Sequence, residues 1–242
     1  MKYGNMIDLT NLHSPTTRET KDLLKTAKNE QCYGICINSE CIDIANKYRD
    51  KSVKIITVAG FPPVNAFRYF SKCNNKSPLV LYLGLYSKSE LYRLNTIIDS
   101  DLTDELDLVF PMMLYTKGKL LRITKFLSGI TKRYNKPVKV ICELGTIFQR
   151  AEPLYEIYSI LNDSGVSFFK TNTGLIKQDF NQLVQSIQTL NMVVKDFGIT
   201  KLQLKASGGI RTESQIETLI NLGVNRIGMS TIPTRGDNNV SK

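Results

Sequence analysis

The sequence predicts a single α/β domain over residues 1–242, folded as a (β/α)8 TIM barrel in which eight parallel strands close into a ring. Three observations lead there. The chain has 242 residues, close to the roughly 250 that eight strand–helix units occupy. Eight short apolar runs recur along it: Met6–Leu9, Tyr33–Ile37, Val53–Val58, Leu106–Phe110, Val138–Cys142, Ser167–Lys170, Gln203–Ala206 and Arg226–Met229. They are largely apolar rather than strictly alternating, as parallel strands covered on both faces should be. Amphipathic stretches separate them. No G-x-G-x-x-G turn follows the first run, which argues against a doubly wound sheet.

Several helices mark their own ends. Thr16-Thr17-Arg18-Glu19 and Thr212-Glu213-Ser214-Gln215 read as capping boxes, in which each end satisfies an orphan amide of the other. Apolar residues then recur at helical spacing, as in Leu154, Ile157, Tyr158 and Leu161, or Phe180, Leu183, Val184, Ile187 and Leu190. Gly165, Gly198 and Gly223 stand where left-handed residues would end three helices. Two regions depart from this rhythm. Residues 64–100 read as a divergent insertion before strand four, with a polar loop Ser71–Pro78 and a tyrosine-rich stretch Leu79–Tyr86. After Met229 the chain ends in a polar tail, 235–242, so the C-terminus is expected to be shortened and the last helix missing.

Composition excludes several function classes. An apolar fraction of 42% is too high for a disordered chain. No apolar run reaches the roughly 18–20 residues that span a bilayer, and the start lacks a signal peptide's apolar core, so no membrane association is expected. A single His, His13, excludes multi-imidazole metal sites. The five cysteines are odd in number and lack C-x-x-C pairing, which favours buried thiols in a reducing compartment and a cytoplasmic location. With 32 Lys+Arg against 22 Asp+Glu the net charge is +10, which raises the question of anionic partners.

In a barrel, reactive groups project from the C-terminal ends of strands. Those ends carry Asp8-Leu9-Thr10, Cys36-Ile37-Asn38, Asp107 within Leu106–Phe110, Glu143, Lys170-Thr171-Asn172-Thr173-Gly174, and Lys205-Ala206-Ser207-Gly208-Gly209-Ile210-Arg211-Thr212. Two lysines on neighbouring apolar strands are the informative pair. Burial and a like charge nearby both disfavour an ammonium, and a neutral amine adds to a carbonyl to form a Schiff base. Gly174, Gly208 and Gly209 would let backbone amides approach an anion. Thr212 opens a helix whose N-terminus favours negative charge, and Gly228, Ser230 and Thr231 follow strand eight, where barrels often bind phosphate.

Taken in order, these stations resemble the deoxyribose-phosphate aldolase family. Phe169–Gly174 is similar to its F/V-K-T-S-T-G motif, Lys205–Thr212 matches K-A-S-G-G-I-R-T, and Asp104–Pro111 resembles D-E-x-D-x-V-F-P. Ile7–Leu12, Gly34–Asn38 and Gly60-Phe61-Pro62 match further stations. The resemblance implies a class I aldolase that reversibly cleaves 2-deoxy-D-ribose 5-phosphate to acetaldehyde and D-glyceraldehyde 3-phosphate, with no cofactor and no metal. It implies Lys170 as the Schiff-base nucleophile, Lys205 as a second lysine whose charge favours its neighbour's neutral amine, and Asp107 as the acid/base. Asp8 would pair with Lys205, while Thr10 and Cys36 line the pocket. Thr171, Thr173, Gly174, Gly208, Gly209, Gly228, Ser230 and Thr231 would bind substrate; Arg211 would touch phosphate or solvent. Asn172 stands where the family has Ser, and the stretch after Pro62 lacks the family's continuation.

Small phosphosugars and aldehydes are therefore the expected partners, with a homodimer possible. Another Schiff-base lyase is opposed by the paired lysines. A catalytically impaired barrel binding phosphosugar or nucleic acid is the alternative from a different class, prompted by the charge. Against nucleic acid, the basic residues are dispersed, and such binding would fall steeply with salt.

Overall fold

A computed structural model describes residues 1–12, 16–61, 84–144, 151–176, 178–200 and 202–234. His13, Pro62, Cys73, the polar loop 71–78 and the tail 235–242 lie outside the described residues. Eight strands, β1 (Ile7–Asn11), β2 (Gly34–Ile37), β3 (Lys54–Ala59), β4 (Glu105–Val109), β5 (Val138–Ile141), β6 (Phe168–Lys170), β7 (Gln203–Ser207) and β8 (Arg226–Met229), form a closed parallel barrel in chain order. The eight apolar runs of the sequence all fall on strands, their ends within two residues. β1 pairs with β8 through Asp8 and Gly228, which closes the ring.

The described helices are α1 (Thr17–Asn29), α2 (Ile42–Tyr48), α3 (Lys88–Ser100), α4 (Met112–Thr116), α5 (Leu120–Tyr134), α6 (Ala151–Asp163), α7 (Phe180–Asp196) and α8 (Glu213–Asn221). Both expected capping boxes are present, Thr16 with Glu19 and Thr212 with Gln215. A third, Asp179 with Gln182, opens α7. Gly165, Gly198 and Gly223 all adopt positive φ just past helix ends.

Helix α3 lies inside the stretch expected as an insertion. Ser87 caps it by accepting from the amide of Glu90, and it buries Leu94, Ile97 and Ile98 as the regular crossover from β3 to β4. Of the 64–100 stretch, only residues 64–83 lie outside the described set. After β8, Ser230–Thr234 form a loop tied by a parallel bridge between Thr234 and Thr212, and no helix follows among the described residues. No described helix is long and apolar enough to cross a membrane.

Successive strand residues point to opposite faces. One set, including Ile7, Leu9, Leu106, Leu108, Val138, Val140, Phe169, Leu204, Ala206 and Ile227, packs with the helices in the main core. Phe169, for example, stacks on Tyr158 of α6 with ring centroids 5.8 Å apart. The alternate set includes Asp8, Glu105, Asp107, Lys139, Lys170, Lys205 and Arg226, all buried and bonded to one another inside the barrel. The strand register aligns Asp107 with Lys139 and Lys170 with Lys205.

Candidate active site

Asp107, inside β4 and fully buried, is the hub. Its Oδ2 accepts from Lys170 Nζ at 2.7 Å and from Lys205 Nζ at 2.9 Å. Its Oδ1 accepts from Lys139 Nζ at 2.9 Å, and the Cys36 thiol lies 3.8 Å from Oδ2. Lys205 also donates to Asp8 Oδ2 at 2.5 Å, and Arg226 donates to Asp8 Oδ1 at 3.0 Å. Glu105 completes the group by pairing with Lys139 and, at 3.6 Å, with Arg226. Four basic side chains thus meet three carboxylates. Lys170 is the basic member that pairs with one carboxylate, whereas Lys139, Lys205 and Arg226 each pair with two.

Opposing terms set the titration of these groups. Burial alone would raise the Asp107 carboxyl, but Lys139, Lys170 and Lys205 outweigh it and hold it well below the usual carboxylate range. Burial opposes ionisation of Asp8 too, and Lys205, Lys139 and Arg226 win, so its pKa is lowered. For Lys205 burial works against the ammonium, yet Asp107 and Asp8 raise its pKa above the ordinary lysine value. Lys205 is therefore held as an ammonium in the resting site. Burial and the neighbouring Asp107 push the Cys36 thiol up to about 11, so it stays a neutral thiol at neutral pH.

A deoxyribose-phosphate aldolase of Caldicellulosiruptor saccharolyticus is 30% identical over 237 residues, covering 95% of this chain and 94% of that protein. The chain belongs to the deoxyribose-phosphate aldolase family. It is an aldolase, an aldehyde-lyase. No family model matches it. Among solved structures, the aldolase QR15 superposes with a TM-score of 0.76 at 23% identity, covering 95% of this chain and 92% of that one. A deoxyribose phosphate aldolase from Aeropyrum pernix, described as tetrameric, gives 0.68 at 22% identity, covering 94% and 86%. These two likenesses carry the barrel fold.

Around the lysines of this aldolase the small residues have separate tasks. Thr171 Oγ1 donates to the Ser207 carbonyl at 3.3 Å and accepts from the Ser207 amide at 3.1 Å, tying β6 to β7. Asn172 donates to the Ser207 carbonyl at 3.0 Å and to Gln178 at 2.8 Å, so the amide that replaces the expected Ser links the two loops. Thr10 Oγ1 donates to the Asp8 carbonyl at 3.0 Å. Gly174, Gly208 and Gly209 adopt positive φ, and Gly174, Gly209, Arg211, Ser230 and Thr231 are exposed.

Two expectations for the anion site need correction. Gly228 lies within β8, not after it, and a Cβ there would come within 3.1 Å of Ser207 Cβ and 3.4 Å of Lys205 Cε. Its lack of a side chain makes room first for Ser207 and, beside it, for the Lys205 stem. Most amides at the N-terminus of α8 also have partners within the protein. The amides of Arg211 and Thr212 donate to Gln215 Oε1, that of Gln215 to Thr212 Oγ1, and that of Glu213 to the Thr234 carbonyl. Those four donors are spent within the protein.

Sequence reasoning passed over Lys139, Glu105, Arg226 and Tyr33. For Lys139, Glu105 and Arg226 the signal was parity, each being a polar residue in an apolar strand in step with a residue that was singled out, whereas Tyr33, just before β2 and out of step with Cys36, gave none. Sequence reasoning also left Glu143 without a role. Glu143 has φ 49° and is buried, its Oε2 accepting from the Thr173 amide at 3.0 Å and hydroxyl at 2.6 Å. Burial raises its pKa, against the hydrogen bonds from Thr173 and the charge of Lys170. A raised carboxyl pKa gives stability that is full below the unfolded value, about 4.3, and lost as pH rises through the folded one. Glu143→Gln keeps an acceptor for Thr173 and removes that loss. Its stability advantage over the native protein should grow as pH rises from 4 to 7 in thermal melts; a constant difference would count against the assignment.

Proposed function

We propose that this aldolase reversibly cleaves 2-deoxy-D-ribose 5-phosphate to acetaldehyde and D-glyceraldehyde 3-phosphate through a Schiff base on Lys170. The observation that carries the reading is the shared Asp107 Oδ2, on which Lys170 and Lys205 converge at 2.7 and 2.9 Å. Family membership supports the reaction.

An amine attacks a carbonyl only without its extra proton. Among the basic members of the cluster, Lys170 is the one paired with a single carboxylate, the least committed of the four. Lys170 adds to the aldehyde carbon, and loss of water leaves an iminium. Removal of the C3 hydroxyl proton then breaks the C2–C3 bond, and its electron pair flows into the iminium to form an enamine. Glyceraldehyde 3-phosphate leaves. A proton returned to C2, and water added to the iminium, release acetaldehyde and restore the amine. Asp107 and Lys205 handle these protons, with Asp8 and Arg226 holding Lys205 in place. The 5-phosphate is assigned to Gly174, Gly208, Gly209, Ser230 and Thr231, with Arg211 at the rim. The basic surface draws the anionic sugar inward. A homodimer in the cytoplasm, acting on phosphosugars and aldehydes and not on nucleic acid, completes the proposal.

Borohydride tests it. Reduction in the presence of 2-deoxyribose 5-phosphate or acetaldehyde should leave a stable adduct, and peptide mapping should place it on Lys170. An adduct on another lysine, or none, would sink the assignment.

A further inference from the structure

The reaction as written leaves Glu105 and Tyr33 unused, yet both are tied to Asp107 by an unbroken series of contacts. Lys139 Nζ donates to Asp107 Oδ1 at 2.9 Å and also pairs with Glu105 Oε2. Tyr33 donates its hydroxyl to Glu105 Oε1 at 2.6 Å. Lys139 and Glu105 are buried, at 0% and 2% exposure, whereas Tyr33 is half-buried. Tyr33 lines a surface cavity of about 290 Å³ with Asn5, Gln31, Ser52 and Lys54, which precede or open β1, β2 and β3. That is the N-terminal face of the barrel, opposite the mouth through which substrate reaches Lys170.

We propose that these residues form a proton path through the floor of the barrel, running from Asp107 through Lys139 and Glu105 to the Tyr33 hydroxyl and solvent. The proposal rests on the reading of Lys170 as the reacting amine. It gives a second connection to water to a site in which Lys170 itself is only 3% exposed.

The step needs no oxidant. When acetaldehyde alone is bound as the Lys170 iminium, a methyl C–H bond breaks and its electron pair becomes the enamine C=C. The C=N π pair returns to nitrogen, and the proton passes to Asp107. Lys139 gives a proton to Glu105 and takes the one from Asp107. Glu105 passes its proton to the Tyr33 oxygen as Tyr33 releases its own to water. Each carboxyl turns between its two partners about its terminal C–C bond, a two-fold torsion. Arg226 stays protonated and does not relay. Its guanidinium lies 3.2 Å from the centre of the Tyr33 ring and holds that ring in position.

Tyr33→Phe removes the last link and keeps the ring. The experiment compares two rates in the same preparation: deuterium entry from D2O into the acetaldehyde methyl group, followed by NMR, and cleavage of 2-deoxyribose 5-phosphate. With the path cut, the abstracted proton returns to the carbon it left more often than it exchanges. The ratio of exchange to cleavage should fall by about a hundredfold, the lower end for losing a positioned proton-transfer group, while cleavage changes little. Glu105→Gln should lower the same ratio. An unchanged ratio in Tyr33→Phe overturns the path, as does an equal fall in both rates. If the native protein exchanges no methyl protons, the Lys170 reading itself fails and takes the path with it.

Discussion

Lys170→Ala is expected to lose cleavage activity by on the order of 10⁴-fold or more, the range seen when a covalent nucleophile is removed. Lys170→Arg should be nearly as inactive. It restores a cation beside Asp107, but guanidinium stays protonated and cannot form a Schiff base. The pair separates covalent chemistry from charge. If the role of Lys170 were electrostatic, arginine would recover much of the activity. The alanine variant carries a second expectation. It leaves three basic groups against Asp8, Glu105 and Asp107, with Asp107 still bound by Lys139 and Lys205. It should therefore unfold at a temperature no lower than the native protein, as when an active site holds strain for function. Retention of a tenth of native activity would contradict the assignment.

Asp107→Asn is expected to damage both activity and stability. Asparagine can accept at one oxygen, but it replaces the carboxylate that three buried ammonium groups share. Breaking a buried ion pair by removing one partner costs about 3–5 kcal/mol, because the remaining charge is stranded. Loss of an acid/base group typically costs about 10²–10⁴ in rate. The pH dependence has a definite sign. The folded pKa of Asp107 is depressed, so its stabilisation is full above the unfolded value of about 3.9 and is lost as pH falls through the folded one. The native protein should weaken below about pH 4 through this group, and Asp107→Asn should lack that component. Urea unfolding at pH 7, 5 and 3 reads this directly. A loss below about 1 kcal/mol at pH 7, comparable with an exposed ion pair, would show that Asp107 is not the hub.

Much of this architecture is readable in the sequence because a barrel repeats its grammar. The eight runs map onto eight strands, and the Thr16 and Thr212 boxes cap the helices they were expected to cap. Lys170, Lys205 and Asp107 converge as their motifs implied. Lys139, Glu105 and Arg226 were hidden by a single reading. Runs that look continuously apolar were taken as covered on both faces by apolar groups, whereas one face of β4 through β8 is a layer of charge. Helix α3 was missed because Ser87 and Glu90, which start it, follow a stretch with no recognisable pattern. Gly228 was assigned to phosphate because a glycine beside serine and threonine resembles a loop. The register of β8 against β7 sets it opposite Ser207, where it makes room for Ser207 and the Lys205 stem.

The layer of charge also limits how this protein can change by descent. An apolar barrel interior can drift one methyl group at a time. Here, replacing one member, such as Asp8, would leave buried Lys205 with Asp107 alone and buried Arg226 with Glu105 alone. Replacing a whole buried ion cluster with well-packed hydrocarbon is often neutral or stabilising. Reaching such a barrel would require several coordinated substitutions, with unfolded intermediates between. Strong coupling between neighbours makes such routes nearly impassable for single steps. The cluster is thus kept in place by epistasis as well as by selection on catalysis. A copy of this chain freed from its reaction would be expected to lose surface residues and loops long before it lost Asp8, Glu105 or Arg226.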